Sequence, residues 1–487
     1  MSDPISTNDE QLLTTVRALI DGGSYPDAHA LLKQRIAQGL STASPRERLF
    51  AADLAGLLID AGAEGKLAAA VTEGIALLKT HQADLEGFVA PASMEYNLAN
   101  AKGALADINA PADGSLGAAS AHEWLVEAKN HYWRAFKLHL FADDFGCQLR
   151  TNLGTTLRKS GRITEALAVY ESVFASDPGF AMAHLQRGYA LLSLEHVSCR
   201  PTASLLYHAL NEFAQAADAK ALWPAAREHA AEMSEHVTKR LTRRGYTIAE
   251  LRDNTATYTE AAQHSAYRRF TLEHHLGLAE HSLYCNCNGA RRDDLMIATH
   301  ATPVEGKLVP RLEMILNRLK AEFGTARFLY YQALHDTSWE AYDHEITYAQ
   351  LFEGEELGIR IELLRTSFRL CLGVLDKIAL GVCELFDVAD PNEKLYFESF
   401  WRPKRAKGNA ARRWSTLASK ENPGLIGLYS QAADVRSDGE WATFKAWRND
   451  LEHRFLILTN EPSPDDPWNA PLRANIDETV LLVVITE

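Results

Sequence analysis

The sequence predicts an all-α protein in which a helical repeat is followed by a different helical bundle. Small and large apolar residues recur with a period of 34 residues in the first half. Long stretches with apolar residues three and four positions apart follow in the second half. The chain has 487 residues, more than one ordinary core accommodates, so two to three domains are expected.

Composition and charge indicate a globular protein of the cytoplasm. The chain is 46% hydrophobic and 23% charged, and no stretch approaches the roughly 18 uninterrupted apolar residues that a membrane helix needs. The first residues are polar and acidic, unlike a secretory signal, and the six cysteines show no disulfide framework. The net charge of −14 argues against broad, non-specific binding of nucleic acid, although it is compatible with a local basic site.

One repeat unit in the first half is clear, and others are degenerate. Small residues stand where two helices would touch, large ones lie between them, and a proline closes the unit. These positions are Leu153, Gly154, Leu157, Gly161, Ala166, Tyr170, Val173 and Pro178. The next unit begins in phase at Gly188. The pattern resembles the tetratricopeptide (TPR) repeat and predicts a TPR-like helical repeat domain over residues 1–238.

Repeats of this kind stack into a curved solenoid whose concave face usually binds a peptide or a protein segment. The repeats therefore predict a protein or peptide partner, which the sequence does not identify. The alternative is a purely structural helical array without a ligand.

The repeat phase is lost after residue 238. Residues 239–304 are predicted to form a helical linker or an extension of the C-terminal domain, and residues 305–487 a bundle of long and short helices. The longer predicted helices are Thr255–Ala279, Leu308–Leu334 with Gly324 as a candidate interruption, Leu357–Phe386, Leu425–Val435, and one from about Gly439 to Leu458.

The last of these helices carries the residues with the most specific chemistry. Arg448 is followed by Asn449, and His453 stands five positions after the arginine. An apolar stripe about 80° wide marks the buried face of this helix. The stripe comprises Phe444, Trp447, Leu451, Phe455 and Leu458. Asn449 and His453 share a face away from that stripe, and Arg448 lies at its edge, about 140° from His453 in a regular helix.

Arg, Asn and His suit ribonuclease chemistry that uses the ribose 2′-OH as the nucleophile. Histidine transfers protons near neutral pH, arginine grips a phosphate through parallel donors, and asparagine orients the histidine or donates to a phosphate oxygen. An isolated Arg-x4-His also arises by chance. Arg448 with Glu452, or Asp450 with Arg454, would then be an ordinary surface ion pair.

The motif and its surroundings resemble the HEPN superfamily (higher eukaryotes and prokaryotes nucleotide-binding). The stretch from Leu375 to Ala379 resembles a helix of the branch that joins TPR-like repeats to a C-terminal HEPN domain. This resemblance implies a dimeric, metal-independent endoribonuclease with Arg448, Asn449 and His453 as catalytic residues. It also implies 2′,3′-cyclic phosphate and 5′-OH products and a use as a toxin or antiviral-defence effector.

A basic stretch precedes the motif helix and predicts contacts with RNA. Its six cations are Arg402, Lys404, Arg405, Lys407, Arg412 and Arg413, with Trp401 and Trp414 at its ends and no acidic residue between them. Cations attract phosphates, and aromatic rings stack on unpaired bases. The alternative is a solubilising loop.

No metal or cofactor is predicted. His281, Cys285 and Cys287 suggest zinc, but Cys-x-Cys lacks the second pair that a structural zinc site needs, so a cluster without metal is expected. The sequence contains no P-loop, dinucleotide fingerprint, serine nucleophile elbow or His-Glu-x-x-His motif.

Two rivals to the enzyme remain open. One is a non-catalytic TPR/HEPN adaptor that binds RNA or a protein partner. The other is a regulator in which the repeats bind a signal peptide and His453 has no role. The apolar run at residues 480–487 is either a buried closing strand or helix, or the start of a helix that is cut short.

Overall fold

The structure is a computed structural model that describes most of the chain. The described residues are 7–85, 89–110, 119–198, 202–258, 264–285, 287–295, 310–348, 356–388, 395–400, 409–420, 422–436, 439–453, 455–459 and 473–477. Helices dominate these ranges, which confirms the predicted all-α class. The described residues divide into two compact units. The first lies within 1–194, 209–238 and 421–430, and the second lies within 195–208, 239–420 and 431–487.

The first eleven helices are α1 (Thr7–Asp21), α2 (Tyr25–Ala37), α3 (Pro45–Glu64), α4 (Ala68–Thr80), α5 (Gln82–Leu85), α6 (Pro91–Ile108), α7 (Ala119–Leu138), α8 (Asp144–Lys159), α9 (Ile163–Ser176), α10 (Ala181–Val197) and α11 (Ala203–Asp218). The later ones are α12 (Pro224–Arg243), α13 (Ile248–Tyr258), α14 (Ala266–Glu273), α15 (Asn288–Arg291), α16 (Pro310–His335), α17 (Glu340–Asp343), α18 (Ile359–Phe386), α19 (Phe397–Phe400), α20 (Asn409–Ala418), α21 (Pro423–Val435) and α22 (Ala442–His453). Two strands follow, β1 (Phe455–Thr459) and β2 (Arg473–Asp477).

In the first unit, small residues allow paired helices to approach closely, as the repeat pattern predicts. Gly154 of α8 faces the ring of Tyr170 on α9, and Gly188 of α10 faces the ring of Phe213 on α11. A Cβ atom at either glycine would lie 2.7 Å from the nearest ring carbon. Both rings are fully buried, so neither has room to move away.

The second unit is built on the long helices α16 and α18, which pack along each other. Its core contains Phe270 of α14 beside aromatic and aliphatic side chains of the two long helices. The α22 residues Phe444, Trp447 and Leu451 pack against this cluster, which confirms these three positions of the predicted stripe. The motif helix is therefore held to the core by one face.

Two predictions about the helices of the second unit differ from the structure. The segment predicted as one helix from Thr255 to Ala279 contains the end of α13, all of α14 and then turns. Gly324 does not interrupt α16, because a single glycine costs only about 1 kcal/mol and the apolar face continues on both sides of it.

The motif helix is also shorter than predicted. It ends at His453 instead of continuing to Leu458, and β1 starts at Phe455 and pairs in parallel with β2. The run Phe-Leu-Ile-Leu-Thr extends the helical apolar spacing, yet a short run rich in aromatic and branched side chains equally suits a strand. The apolar run at residues 480–487 lies outside the described residues. Among the described helices, none combines the length and hydropathy of a membrane-spanning segment.

A buried charged histidine joins α10, α11 and the turn before α10 in the first unit. His184 Nδ1 lies 2.7 Å from Glu212 Oε2, and its Nε2 lies 2.9 Å from the carbonyl oxygen of Pro178. Both partners accept only, so both ring nitrogens donate and the imidazole is protonated. Burial alone would lower the pKa of His184, but the hydrogen bonds to Glu212 and Pro178 outweigh it and hold that pKa above its ordinary value.

We expect Gly154→Ala and Gly188→Ala each to destabilise the protein by about 1–3 kcal/mol, because the added methyl group overlaps a fixed aromatic ring. Gly103→Ala in α6 is the matched control. It meets no atom within 4 Å and should stabilise the protein by about 0.5–1 kcal/mol through helix propensity. Urea denaturation gives the free energy of unfolding of the three variants. Equal changes in this free energy at the three sites would contradict the close packing of Gly154 and Gly188.

We expect the stability contributed by His184 to disappear with rising pH. Its folded-state pKa is raised, so the contribution is fully present below the unfolded pKa of about 6.5 and is lost as the pH rises through the folded pKa. The difference in unfolding free energy between wild type and His184→Gln should thus be larger at pH 6 than at pH 9. His236→Gln, at an exposed position, is the control, and a pH-independent difference for His184 would refute the assignment.

Candidate functional site

The three motif residues line one cleft in the second unit. Its walls come from α18, from α19 with the residue before it, from the end of α21 and from α22, and its volume is about 640 Å³. The lining residues are Leu372, Leu375, Asp376, Tyr396, Phe397, Glu398, Val435, Lys445, Ala446, Arg448, Asn449, Asp450 and His453. The structure thus brings Arg448, Asn449 and His453 together, although a regular helix separates the first and last by about 140°.

Asp376 fixes the position of Arg448. Its Oδ2 accepts a hydrogen bond of 2.9 Å from Arg448 Nη1, and its Oδ1 accepts one of 2.9 Å from the backbone N–H of Phe397. One carboxylate therefore ties α18 to α19 and to α22. The arginine side chain is only 18% exposed, so this pair is held more firmly than an ordinary surface ion pair.

Arg448 also orients its neighbour. Its Nη2 donates to Asn449 Oδ1 at 3.3 Å, which leaves the Asn449 amide nitrogen as the donor of that side chain. Among the described residues, no hydrogen bond joins Asn449 to His453. Asn449 is thus positioned by the arginine, and the structure gives no support to the prediction that it orients the histidine.

His453 is the most open of the three motif residues. It is the last residue of α22 and its side chain is 75% exposed. Glu452 Oε2 lies 3.9 Å from His453 Nε2. An imidazole in this position has access to solvent and to any molecule that enters the cleft. The predicted direction of His453, away from the core of its own domain, agrees with this exposure.

The charges that line the cleft are largely paired. Asp376 pairs with Arg448, and Glu398 of α19 pairs with Lys445 of α22. Asp450 and His453 complete the ionisable side chains with formal charge among the lining residues. The described residues that line the cleft of one chain therefore offer no excess of positive charge for a polyanion.

The predicted basic stretch is only partly described. Arg402, Lys404, Arg405 and Lys407 lie outside the described residues, as does the side chain of Arg412 on α20. Arg413 is described, and it does not face solvent, because its side chain is buried. Its Nε donates to the carbonyl oxygen of Val388 at 3.1 Å, and its guanidinium lies 5.2 Å from the centre of the Phe400 ring.

Arg413 is therefore a packing residue, and its buried side chain is not available to contact RNA, contrary to the prediction. Its place among other cations in the sequence gave no sign of this burial. The sequence also carries a signal for Asp376, which was not among the predicted site residues. Asp376 is a single acid on a stretch of α18 that contains Leu372, Leu375 and Ile378. A lone carboxylate among apolar side chains usually requires a fixed partner.

The comparison with protein families supports the motif. Residues 303–482 match the model of the LA2681-like HEPN family. The C-terminal part of the chain is thus a HEPN domain, as the motif predicted, and the helical N-terminal part is consistent with TPR-like repeats. HEPN domains are often ribonucleases and commonly form dimers. No curated protein matches the chain significantly.

A double-mutant cycle tests how firmly Asp376 holds Arg448. We expect Asp376→Asn and Arg448→Gln to show a coupling of about 0.5–3 kcal/mol in the free energy of unfolding, because the two groups share a partly buried, charge-assisted hydrogen bond. Glu362 and Arg365 of α18 form the control pair. Glu362 is 60% exposed, so a coupling of about 0.2–0.5 kcal/mol is expected there. Equal couplings in urea denaturation would show that Asp376 is an ordinary surface partner.

Proposed function

We propose that this protein is a metal-independent endoribonuclease whose HEPN site is completed by a second copy of the chain. The observation that carries the proposal is the placement of Arg448, Asn449 and His453 on one cleft, with the histidine open to solvent and the arginine held by Asp376. The HEPN match makes ribonuclease chemistry the first activity to test.

The reaction needs proton transfer and charge stabilisation at one phosphodiester. A base removes the proton of the ribose 2′-OH, the 2′ oxygen bonds to phosphorus, and the bond from phosphorus to the 5′ oxygen breaks as an acid protonates that oxygen. His453 suits the proton transfers, and Arg448 and the Asn449 amide suit the phosphate oxygens. The products are a 2′,3′-cyclic phosphate and a 5′-OH, and DNA resists cleavage because it has no 2′-OH.

Two features favour a site shared between two chains. A single histidine would have to act as base and acid in one displacement, whereas two histidines divide these roles. The lining charges of one cleft largely cancel, so a second copy would add an arginine and a histidine where phosphate binds.

We further propose that Arg402, Lys404, Arg405, Lys407 and Arg412 supply contacts to the phosphates of the RNA. The repeats would bind a protein or peptide that controls cleavage, as in a cytoplasmic toxin or antiviral-defence effector. The alternative is a non-catalytic adaptor that binds RNA or a protein through the same surfaces. The three intact motif residues favour the enzyme.

The decisive experiment is cleavage of an end-labelled structured RNA by the full chain in excess EDTA. We expect wild type to cut and to leave cyclic-phosphate ends. His453→Gln should be slower by about 10²–10⁴-fold because proton transfer is lost, and Arg448→Lys by about 10²–10³-fold because a single ammonium replaces the fork. His344→Ala, an exposed histidine of the same unit, is the matched control and should cut like wild type.

The shared site is tested by mixing the Arg448→Ala and His453→Ala proteins. The mixed dimer keeps one arginine and one histidine, which come from different chains, so the mixture should recover part of the activity that neither variant has alone. RNA binding by all variants without any cutting would favour the adaptor, and full activity of a strictly monomeric form would refute the shared cleft.

A further inference from the structure

A cluster of three metal-ligating side chains lies in the second unit, in the segment between α14 and α15. The side-chain donor atoms of His281, Cys285 and Cys287 all lie within 4.8 Å of one another. One of these separations, between His281 Nε2 and Cys287 Sγ, is 3.1 Å. The sequence singled out the same three residues, and the turn between His281 and Cys285 brings the imidazole to the sulfurs.

Backbone N–H groups point at both sulfur atoms. The N–H of Cys287 donates to Cys285 Sγ at 3.4 Å, and the N–H of Ala290 donates to Cys287 Sγ at 3.5 Å. Donors directed at sulfur stabilise the thiolate form, which is the form that binds metals. The cluster is therefore arranged to accept two negative sulfur atoms beside one neutral imidazole.

The surrounding segment is anchored at Tyr284, next to Cys285. Ser204 Oγ of α11 donates to the carbonyl oxygen of Tyr284 at 2.6 Å, and the rings of His208 and Tyr284 lie 5.1 Å apart. His281 itself is buried. The ligands thus stand on a fixed turn, so the arrangement does not depend on long side chains finding one another in solvent.

We propose that His281, Cys285 and Cys287 bind one Zn²⁺ ion. Zinc prefers this ligand set, with Zn–S distances of about 2.3 Å and Zn–N distances of about 2.0–2.1 Å. Tetrahedral geometry with these bond lengths places the donor atoms about 3.6–3.8 Å apart. The observed separations, from 3.1 Å to at most 4.8 Å, bracket that value, so adjustments of side-chain torsions suffice.

Binding converts two thiols into thiolates and releases their two protons to solvent. A bound dication supplies the charge that holds the thiolate. The three protein ligands leave the fourth tetrahedral position for water or an added ligand.

Metal analysis of the full chain, purified without a polyhistidine tag, tests the site. About one zinc ion per chain is expected in wild type, and it should be lost in His281→Gln, in Cys285→Ser and in Cys287→Ser. His275→Asn is the matched control, because it removes a nearby imidazole and asparagine tolerates the positive φ of 55° at that position. Zinc retained by a Cys285→Ser/Cys287→Ser double variant would overturn the proposal.

A second measurement uses wild type alone and does not depend on whether the variants fold. Chelator-treated protein is titrated with Co²⁺, which should produce a sulfur-to-cobalt charge-transfer band and tetrahedral d–d bands that saturate at one ion per chain. Zinc should then abolish these bands and protect two thiols from alkylation. The absence of these bands would overturn the metal site. If zinc does not bind and mild oxidation links the two cysteines with a loss of 2 Da, the cluster is a redox thiol pair instead.

Discussion

The carboxylate of Asp376 is the interaction on which the candidate site depends. One of its oxygens accepts a hydrogen bond from the guanidinium of Arg448, and the other accepts one from the backbone N–H of Phe397. The packing of α18 on α16 fixes α18 in place. Asp376 lies on α18, so its two hydrogen bonds hold the shorter helices α19 and α22 in position. Loss of this carboxylate would leave a partly buried arginine without its charged partner, a costlier state than loss of both groups.

The same pairing bears on the proposal that a second chain completes the site. An arginine held by an aspartate is well oriented but largely neutralised, and the neighbouring Lys445 is paired with Glu398. Orientation and net positive charge are thus separate requirements, and a single cleft meets only the first. Additional positive charge would come from a second copy of the motif helix or from the basic stretch around Lys404. The proposed dimer follows from this electrostatic balance as well as from the family.

The residues that could be predicted from the sequence are those whose positions are decided by the burial of one helix face. Apolar spacing identified Phe444, Trp447 and Leu451 as core contacts and predicted α18 almost to its ends, because burial of one helix face determines both. The glycines of the repeat were predictable for a similar reason, since helices that touch need small residues at the contact.

The features that were missed depend on contacts distant in sequence. The β1 run fits a helix and a strand equally by local pattern, and its pairing with β2 decides between them. The buried position of Arg413 depends on Val388 and Phe400, and the role of Asp376 depends on a residue 72 positions later. His281 joins the two cysteines only through a turn that spacing did not reveal.

The zinc proposal and the metal-independent ribonuclease proposal concern different atoms of the same unit. Phe270 of α14 contacts the core against which Trp447 packs, and Arg327 of α16 binds Asp293, which follows the cysteines. Removal of zinc from this region would therefore weaken the support of α22 without touching the reacting phosphate. Gradual loss of cleavage in EDTA, in step with unfolding, would thus indicate a structural metal. Loss of activity with the fold intact would instead indicate a metal at the reaction centre, and the assignment of proton transfer to His453 would then be wrong.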